Sequence, residues 1–228
     1  IIPVLEGIGI SLATHIAKCA GVSDRKFGDL ESDIKSLHEK SFPVLDDARG
    51  EEMAQRILKA REEADSVGGV TETVICGTPA GVGEPWFDSV ESVISHAAFS
   101  LGVKGVEFGA GFAAADMKGS ECNDPLRVSG GRIVTTTNNN GGVNGGITNG
   151  MPIVFRCAVK PTPSIAQQQD TVDFIKNENT QLSIHGRHDP AIIRRICPVL
   201  DSVAALCVAD MLSLRYGTDV LTKGVDDR

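Results

Sequence analysis

Between Asn138 and Gly150 the chain reads NNNGGVNGGITNG, and ten of these thirteen residues are Asn or Gly. Glycines in that number allow positive φ and close backbone approach, so the amides of such a segment can converge on an anion or on the flat edge of a ligand. The segment lacks the Gly-Lys-Ser/Thr ending of a Walker A loop, and it is not a GxGxxG that opens a helix. With the polar stretch from residue 113 it makes a span too long for a simple connection. Loops beyond about 12 to 15 residues in a compact domain are usually functional or disordered. By itself, the run reads more simply as a tight-turning surface loop.

The flanking pattern sets the fold class. MPIVFRCAVKP alternates Ile153, Phe155, Cys157 and Val159 and is the clearest strand. VTETVICGTP and GVEFGAGF read as two more strands, and the loosely alternating opening predicts another through about Ile16. Residues 23–47 are a polar surface excursion with a short helix and a stop at Pro43. From Glu51, EEMAQRILKAREEAD puts Met53, Ile57, Leu58 and Ala60 on one face of a helix ending near Gly68. Asp88 and Glu91 form a capping box for a helix over 89–101. DTVDF and QLSIHG are short strands or turns. Pro190, at a first helical position, opens a long helix marked by Ile192, Ile193, Ile196, Leu200, Val203, Leu206 and Leu212. Without a βαβ rhythm, the mixture predicts α+β with antiparallel sheet. No repeat or linker divides the chain, so residues 1–228 are expected to form one domain.

Charge and composition narrow the partners. Lys and Arg number 22 against 30 Asp and Glu, a net charge of −8, and aromatics are 4%. Such a surface repels phosphate backbones and anionic membranes and has few rings for base stacking, so neither nucleic acid nor membrane is expected as a partner. No run approaches the roughly 20 apolar residues of a bilayer span. The opening IIPVLEGIGISLATHIAKCAG has no basic lead and is not a signal peptide, which predicts a cytoplasmic location. The six cysteines form no CxxC and read as reduced core residues. The first residue is Ile rather than Met, as expected of a processed or truncated piece.

Two further segments can carry chemistry. Lys160-Pro161-Thr162-Pro163-Ser164 follows the best strand and offers one cation and two hydroxyls on a proline-stiffened turn, a set suited to a phosphate. Gly186-Arg187-His188-Asp189-Pro190 places ionisable groups at a helix start, where anions are favoured. Arg187 can grip a carboxylate or phosphate, and Asp189 can cap the helix or take a proton. Alone, the first segment reads more simply as an exposed turn, and Asp189 is equally a structural cap. His185 and His188 have no further Cys or His nearby, so no metal site is expected. There is no GxSxG elbow.

Together these segments resemble chorismate synthase, the last enzyme of the shikimate pathway. The matching stretches are DSVGGVTETVICGTPAGVGEPWFDSVES at 65–92, VKGVEFGAGF at 103–112, MKGSECNDP at 117–125, NNNGGVNGGITNGMPIVFRCAVKPTPSI at 138–165 and GRHDPAIIRRICPVLDSVAALCVAD at 186–210. They cover residues 50–212 in order. The family's opening Gly-Ser-His-Gly-type motif, its arginine-rich segment and its Gly-Gly-Arg-Ser-type stretch have no counterpart here. The resemblance therefore implies the C-terminal portion of the polypeptide, with little turnover from these residues alone. Asn140 stands where some members carry His, which leaves its contact open.

The family reaction is a 1,4-anti elimination of phosphate from 5-enolpyruvylshikimate 3-phosphate, giving chorismate and requiring reduced FMN. Carried over by position, the resemblance implies that Leu101, Gly102, Gly145, Lys160, Pro161, Thr162, Pro163, Ser164 and Arg187 contact FMN. Asp189 would assist proton transfer at the flavin, with Arg194 and Arg195 as further cations. It also implies a β-α-β sandwich of antiparallel sheets enclosing helices, a homotetramer, and NADPH as a candidate reductant. The alternative is a truncated, catalytically silent fragment that binds FMN or another anion.

Overall fold

The computed structural model describes residues 1–224. In chain order the elements are α1 (Ile2–Gly7), β1 (Ser11–Cys19), β2 (Val22–Ser23), α2 (Leu30–Glu39), α3 (Asp47–Glu62), β3 (Gly69–Cys76), α4 (Val90–Ala98), β4 (Val103–Phe108), α5 (Gly119–Cys122), β5 (Leu126–Ser129), β6 (Arg132–Thr135), β7 (Val143–Asn144), β8 (Ile147–Thr148), β9 (Ile153–Val159), β10 (Gln169–Asp173), β11 (Glu178–Leu182), α6 (Ile193–Tyr216) and α7 (Val220–Lys223).

Five strands form one antiparallel sheet in the order β2-β1-β3-β9-β4, and β5-β6, β7-β8 and β10-β11 are separate two-stranded ribbons. Alternation divides the sheet's two faces. Leu12, Ile16, Ile75, Ile153, Phe155 and Cys157 point into the main core against α6, while Ala13 and Val74 meet Ile34 and Leu37 of α2 on the other side. The α+β class with antiparallel sheet expected from the pattern is the one found. Among the described residues, one large sheet carries helices on both faces.

Several boundaries differ from the sequence reading, each for a local reason. The opening strand is a short helix followed by β1, because Pro3 sits in the first turn of α1, where its missing N–H costs nothing. The N-cap of α3 is Asp46, whose carboxylate accepts from Ala48 N at 2.9 Å, so that helix begins four residues before Glu51. Ser89, not Asp88, caps α4 by accepting from Ser92 N at 3.1 Å, and the regular helix stops at Ala98. The long helix starts at Ile193 rather than Pro190. Its 24 residues are long and apolar enough to cross a membrane, contrary to the expectation that no run approaches that length; the burial of 56% of its apolar window in the core accounts for the composition. All six cysteines are free thiols, and Cys19, Cys157, Cys197 and Cys207 are buried.

Candidate functional site

Antiparallel register gathers most of the expected site residues at one end of the sheet. Val159, the last residue of β9, pairs with Gly69 at the start of β3 and with Val103 at the start of β4. The residues before β3, those before β4 and those after β9 therefore emerge together: Ser66–Gly68, Leu101–Gly102 and Lys160–Ser164. Ser66 Oγ donates to the Thr162 carbonyl at 2.6 Å, and Val67 N donates to the Pro190 carbonyl at 2.8 Å. Two adjacent residues, Ser66 and Val67, thus bind the 160–164 turn to the 186–190 turn. Gly102 has φ +73°, and a Cβ there would lie 4.0 Å from Ile192 Cδ1, which seats it beside the start of α6.

Charges in this cluster are unevenly matched. Asp189 Oδ1 accepts from Ala191 N at 3.3 Å and Oδ2 lies 3.2 Å from Arg195 Nη1, so Asp189 closes a local turn instead of capping α6. His188 Nε2 donates to the Ile184 carbonyl at 3.0 Å, which occupies that nitrogen. Lys160 and Arg187 have no ion-pair partner among the described residues, and Thr162 Oγ1 is buried without a hydrogen-bond partner there. Arg187 and His188 line a cavity of about 220 Å³. Arg61 of α3 lines it too, and also a second cavity, of about 420 Å³, that Asp189 borders. Sequence reasoning placed Arg61 only on a helix; no local spacing signals its position beside residues 186–191, which depends on the Val67–Pro190 hydrogen bond.

Gly145 lies elsewhere. It turns the β7-β8 ribbon with φ +60°, followed by Gly146 at +88°, the signature of a two-residue hairpin. This ribbon is held at the opposite end of β9: Thr148 Oγ1 donates to the Pro79 carbonyl at 2.6 Å, and Val90 N donates to the Gly146 carbonyl at 3.0 Å. A strand of seven residues separates the two groups by roughly 20 Å. A Cβ on Gly145 would meet nothing within 4 Å, so its backbone faces open space.

Asp124, which the sequence reading passed over, shapes the Asn-rich run. It accepts from Thr137 Oγ1 at 2.7 Å, Asn139 N at 2.7 Å, Asn140 N at 2.9 Å and Asn140 Nδ2 at 2.8 Å. Burial opposes its charge, but these hydrogen bonds prevail and hold its carboxyl below the usual aspartate value. The contact left open for Asn140 is this carboxylate. The one local signal was Asp124 standing before Pro125, a turn dipeptide.

The family model for chorismate synthase matches residues 3–213, from the first turn of α1 through most of α6. The chain belongs to the chorismate synthase family. It is 42% identical over 214 residues to the chorismate synthase of Methanosarcina acetivorans, covering 93% of this chain and 58% of that protein. The corresponding figures for the Korarchaeum cryptofilum chorismate synthase are 44% over 219 residues, 93% and 59%. A crystal structure of chorismate synthase superposes with a TM-score of 0.76 at 28% identity, covering 94% of this chain and 60% of that one. The chain thus spans somewhat under 60% of the length of the relatives it matches. The similarity begins well before the motif-bearing stretch recognised from residue 50.

Proposed function

We propose that this chain carries the flavin-facing part of a lyase that eliminates phosphate from 5-enolpyruvylshikimate 3-phosphate to give chorismate, with reduced FMN as cofactor. The observation that carries the reading is the convergence of Leu101–Gly102, Lys160–Ser164 and Arg187–Asp189 at one end of the sheet. The donor set fits a flavin phosphate and ring edge. Lys160 and Arg187 are unpaired cations among the described residues, and Thr162 carries a buried hydroxyl with no partner. Continuous similarity over 3–213 supports the enzyme over a fragment that only binds flavin.

Reduced FMN, held by Lys160, Arg187 and the 160–164 turn, would supply an electron-rich ring and a basic ring nitrogen. The chain's own residues do the rest. Lys160 and Arg187 bind anionic groups, the proline-flanked turn holds Thr162 and Ser164 without further ordering, and Asp189 assists the substrate proton's movement from a carboxylate fixed by Ala191 N and Arg195. Gly145 joins this set in the reading through its open backbone, from the other end of β9. The same reading makes the protein a cytoplasmic homotetramer with NADPH as the reductant of its flavin.

FMN fluorescence tests the binding. It should be quenched by the chain, and Arg187→Ala should weaken the affinity about tenfold or more, since a charge-assisted hydrogen bond is worth about 1.5–3 kcal/mol. The chemistry is tested by anaerobic mixing of reduced FMN and 5-enolpyruvylshikimate 3-phosphate with a polypeptide of the relatives' full length that contains these residues. Chorismate absorbance is expected to rise; flavin binding with no phosphate released would refute the lyase assignment.

A further inference from the structure

The 420 Å³ cavity lies between the C-terminal half of α3 and the start of α6. Phe42, Ile57 and Leu58 give it an apolar wall, and Arg61, Arg194 and Arg195 give it a cationic rim. Leu58 stays 46% exposed on that wall. Three guanidiniums border one carboxylate, Asp189, and only Arg195 is within ion-pair distance of it. Arg61 and Arg194 have no carboxylate partner among the described residues, in a chain whose net charge is −8.

Local structure explains one of these cations and not the other. Arg61 stands in the last turn of α3, where the helix dipole favours positive charge. Arg194 and Arg195 stand in the first turn of α6, which holds no acidic residue and has no side-chain cap at Ile192, so the dipole opposes them. An anion between α3 and α6 would suit the start of α6 and the three guanidiniums, and Arg61 would offset the negative C-terminal end of α3. A cavity of this volume with an apolar wall and a few convergent polar groups is of the size that holds small ligands, and two free guanidiniums match the charge and forked geometry of a phosphate monoester.

We propose that this cavity binds the phosphate of a small phosphorylated molecule, with Arg61 and Arg194 as its ligands and the apolar wall against the molecule's body. The site rests on the cavity and its arginines; only the identity of the molecule rests on the reading above, in which the phosphate belongs to the substrate or to the flavin. Asp189 borders this cavity, so a molecule bound there lies beside the residue assigned to proton transfer.

Inorganic phosphate is the probe, followed by the broadening of its phosphorus resonance as the chain is added. Arg61→Ala with Arg194→Ala should weaken phosphate binding at least tenfold, and Arg215→Ala, at the far end of α6, should leave it within about twofold. All three side chains are exposed, and a second pair, Arg61→Gln with Arg194→Gln, keeps side-chain bulk while removing the charge; unfolding midpoints confirm that the variants fold. If FMN displaces the phosphate, the site takes the flavin's phosphate; if 5-enolpyruvylshikimate 3-phosphate displaces it and FMN does not, the site takes the substrate's. No phosphate binding by the parent chain, or equal binding by the double variants, overturns the proposal. Phosphate binding with this pattern but no FMN response leaves the site standing and removes the flavin reading.

Discussion

Gly68 shows how much of the site depends on the absence of one methyl group. A Cβ at that position would lie 2.5 Å from the Val159 carbonyl oxygen and 2.9 Å from Pro161 Cδ, and neither neighbour is the end of a flexible side chain. Gly68→Ala must push the 160–164 turn off the end of β9, so it should destabilise the fold by about 1–3 kcal/mol and weaken FMN binding at the same time. Denaturant unfolding and FMN fluorescence on the same sample check it; a variant as stable as its parent with full FMN affinity would show that the turn is not held there. At this scale the sequence was legible wherever one short segment contained the whole reason. Lys160-Pro161-Thr162-Pro163-Ser164 announces a rigid, hydrogen-bonding turn in five letters. Arg61 and Asp124 were not legible, since what matters about them is a partner far along the chain: Pro190 bonded through Val67 for the first, Asn139 and Asn140 for the second.

The elements follow the same division. β9 and α3 were readable because alternation in one and a 3.6-residue stripe in the other are internal to the segment. The start of α6 was misplaced because Asp189 and Pro190 are ordinary helix-opening residues, but here the Pro190 carbonyl accepts from Val67 N and the Asp189 carboxylate accepts from Ala191 N. Pattern could not show either what α6 does with its one buried acid. Asp201 faces the sheet near Thr14 and His38 and lines a cavity with Lys40 and Arg194, and its Oδ1 is buried without a hydrogen-bond partner among the described residues. Burial pushes its carboxyl up to about 6, against smaller opposing contributions from Thr14 and His38. A raised carboxyl favours the folded state below its ordinary 3.8, and that advantage is lost as pH climbs toward about 6. Asp201→Asn keeps the shape and removes the charge, so at pH 7 it should stabilise the chain by about 1–3 kcal/mol, measured as a higher urea midpoint. At pH 4 the difference should shrink toward zero; equal effects at both pH values would mean that Asp201 is not the titrating group.

Across the whole molecule the buried ionisable groups place the stability maximum on the acid side of neutrality. His15 is only 1% exposed and lies 2.8 Å from Asp24 Oδ2 and 3.4 Å from Glu72 Oε1. Burial works against its charge, yet the two carboxylates prevail and hold it above its ordinary 6.5. Its contribution is therefore complete below that value and is lost as pH rises through the raised one. Asp201 lowers stability over the interval beneath it. Asp24, Asp33 and Asp124 are depressed below 3.8, so their contributions hold above that value and fail only as pH falls further. These slopes meet at about pH 4–5, close to the isoelectric point of about 5.1, where self-repulsion from the net charge of −8 has also faded. Urea midpoints at low protein concentration should be highest there and fall toward pH 8, with the loss above pH 6 flattened in His15→Gln because the Asp24–His15–Glu72 arrangement no longer titrates. A midpoint that rises from pH 5 to pH 8 would mean that the carboxylates flanking His15 do not hold a proton on it. The arrangement then contributes to folding only as hydrogen bonds linking β1, β3 and the loop that leads into α2.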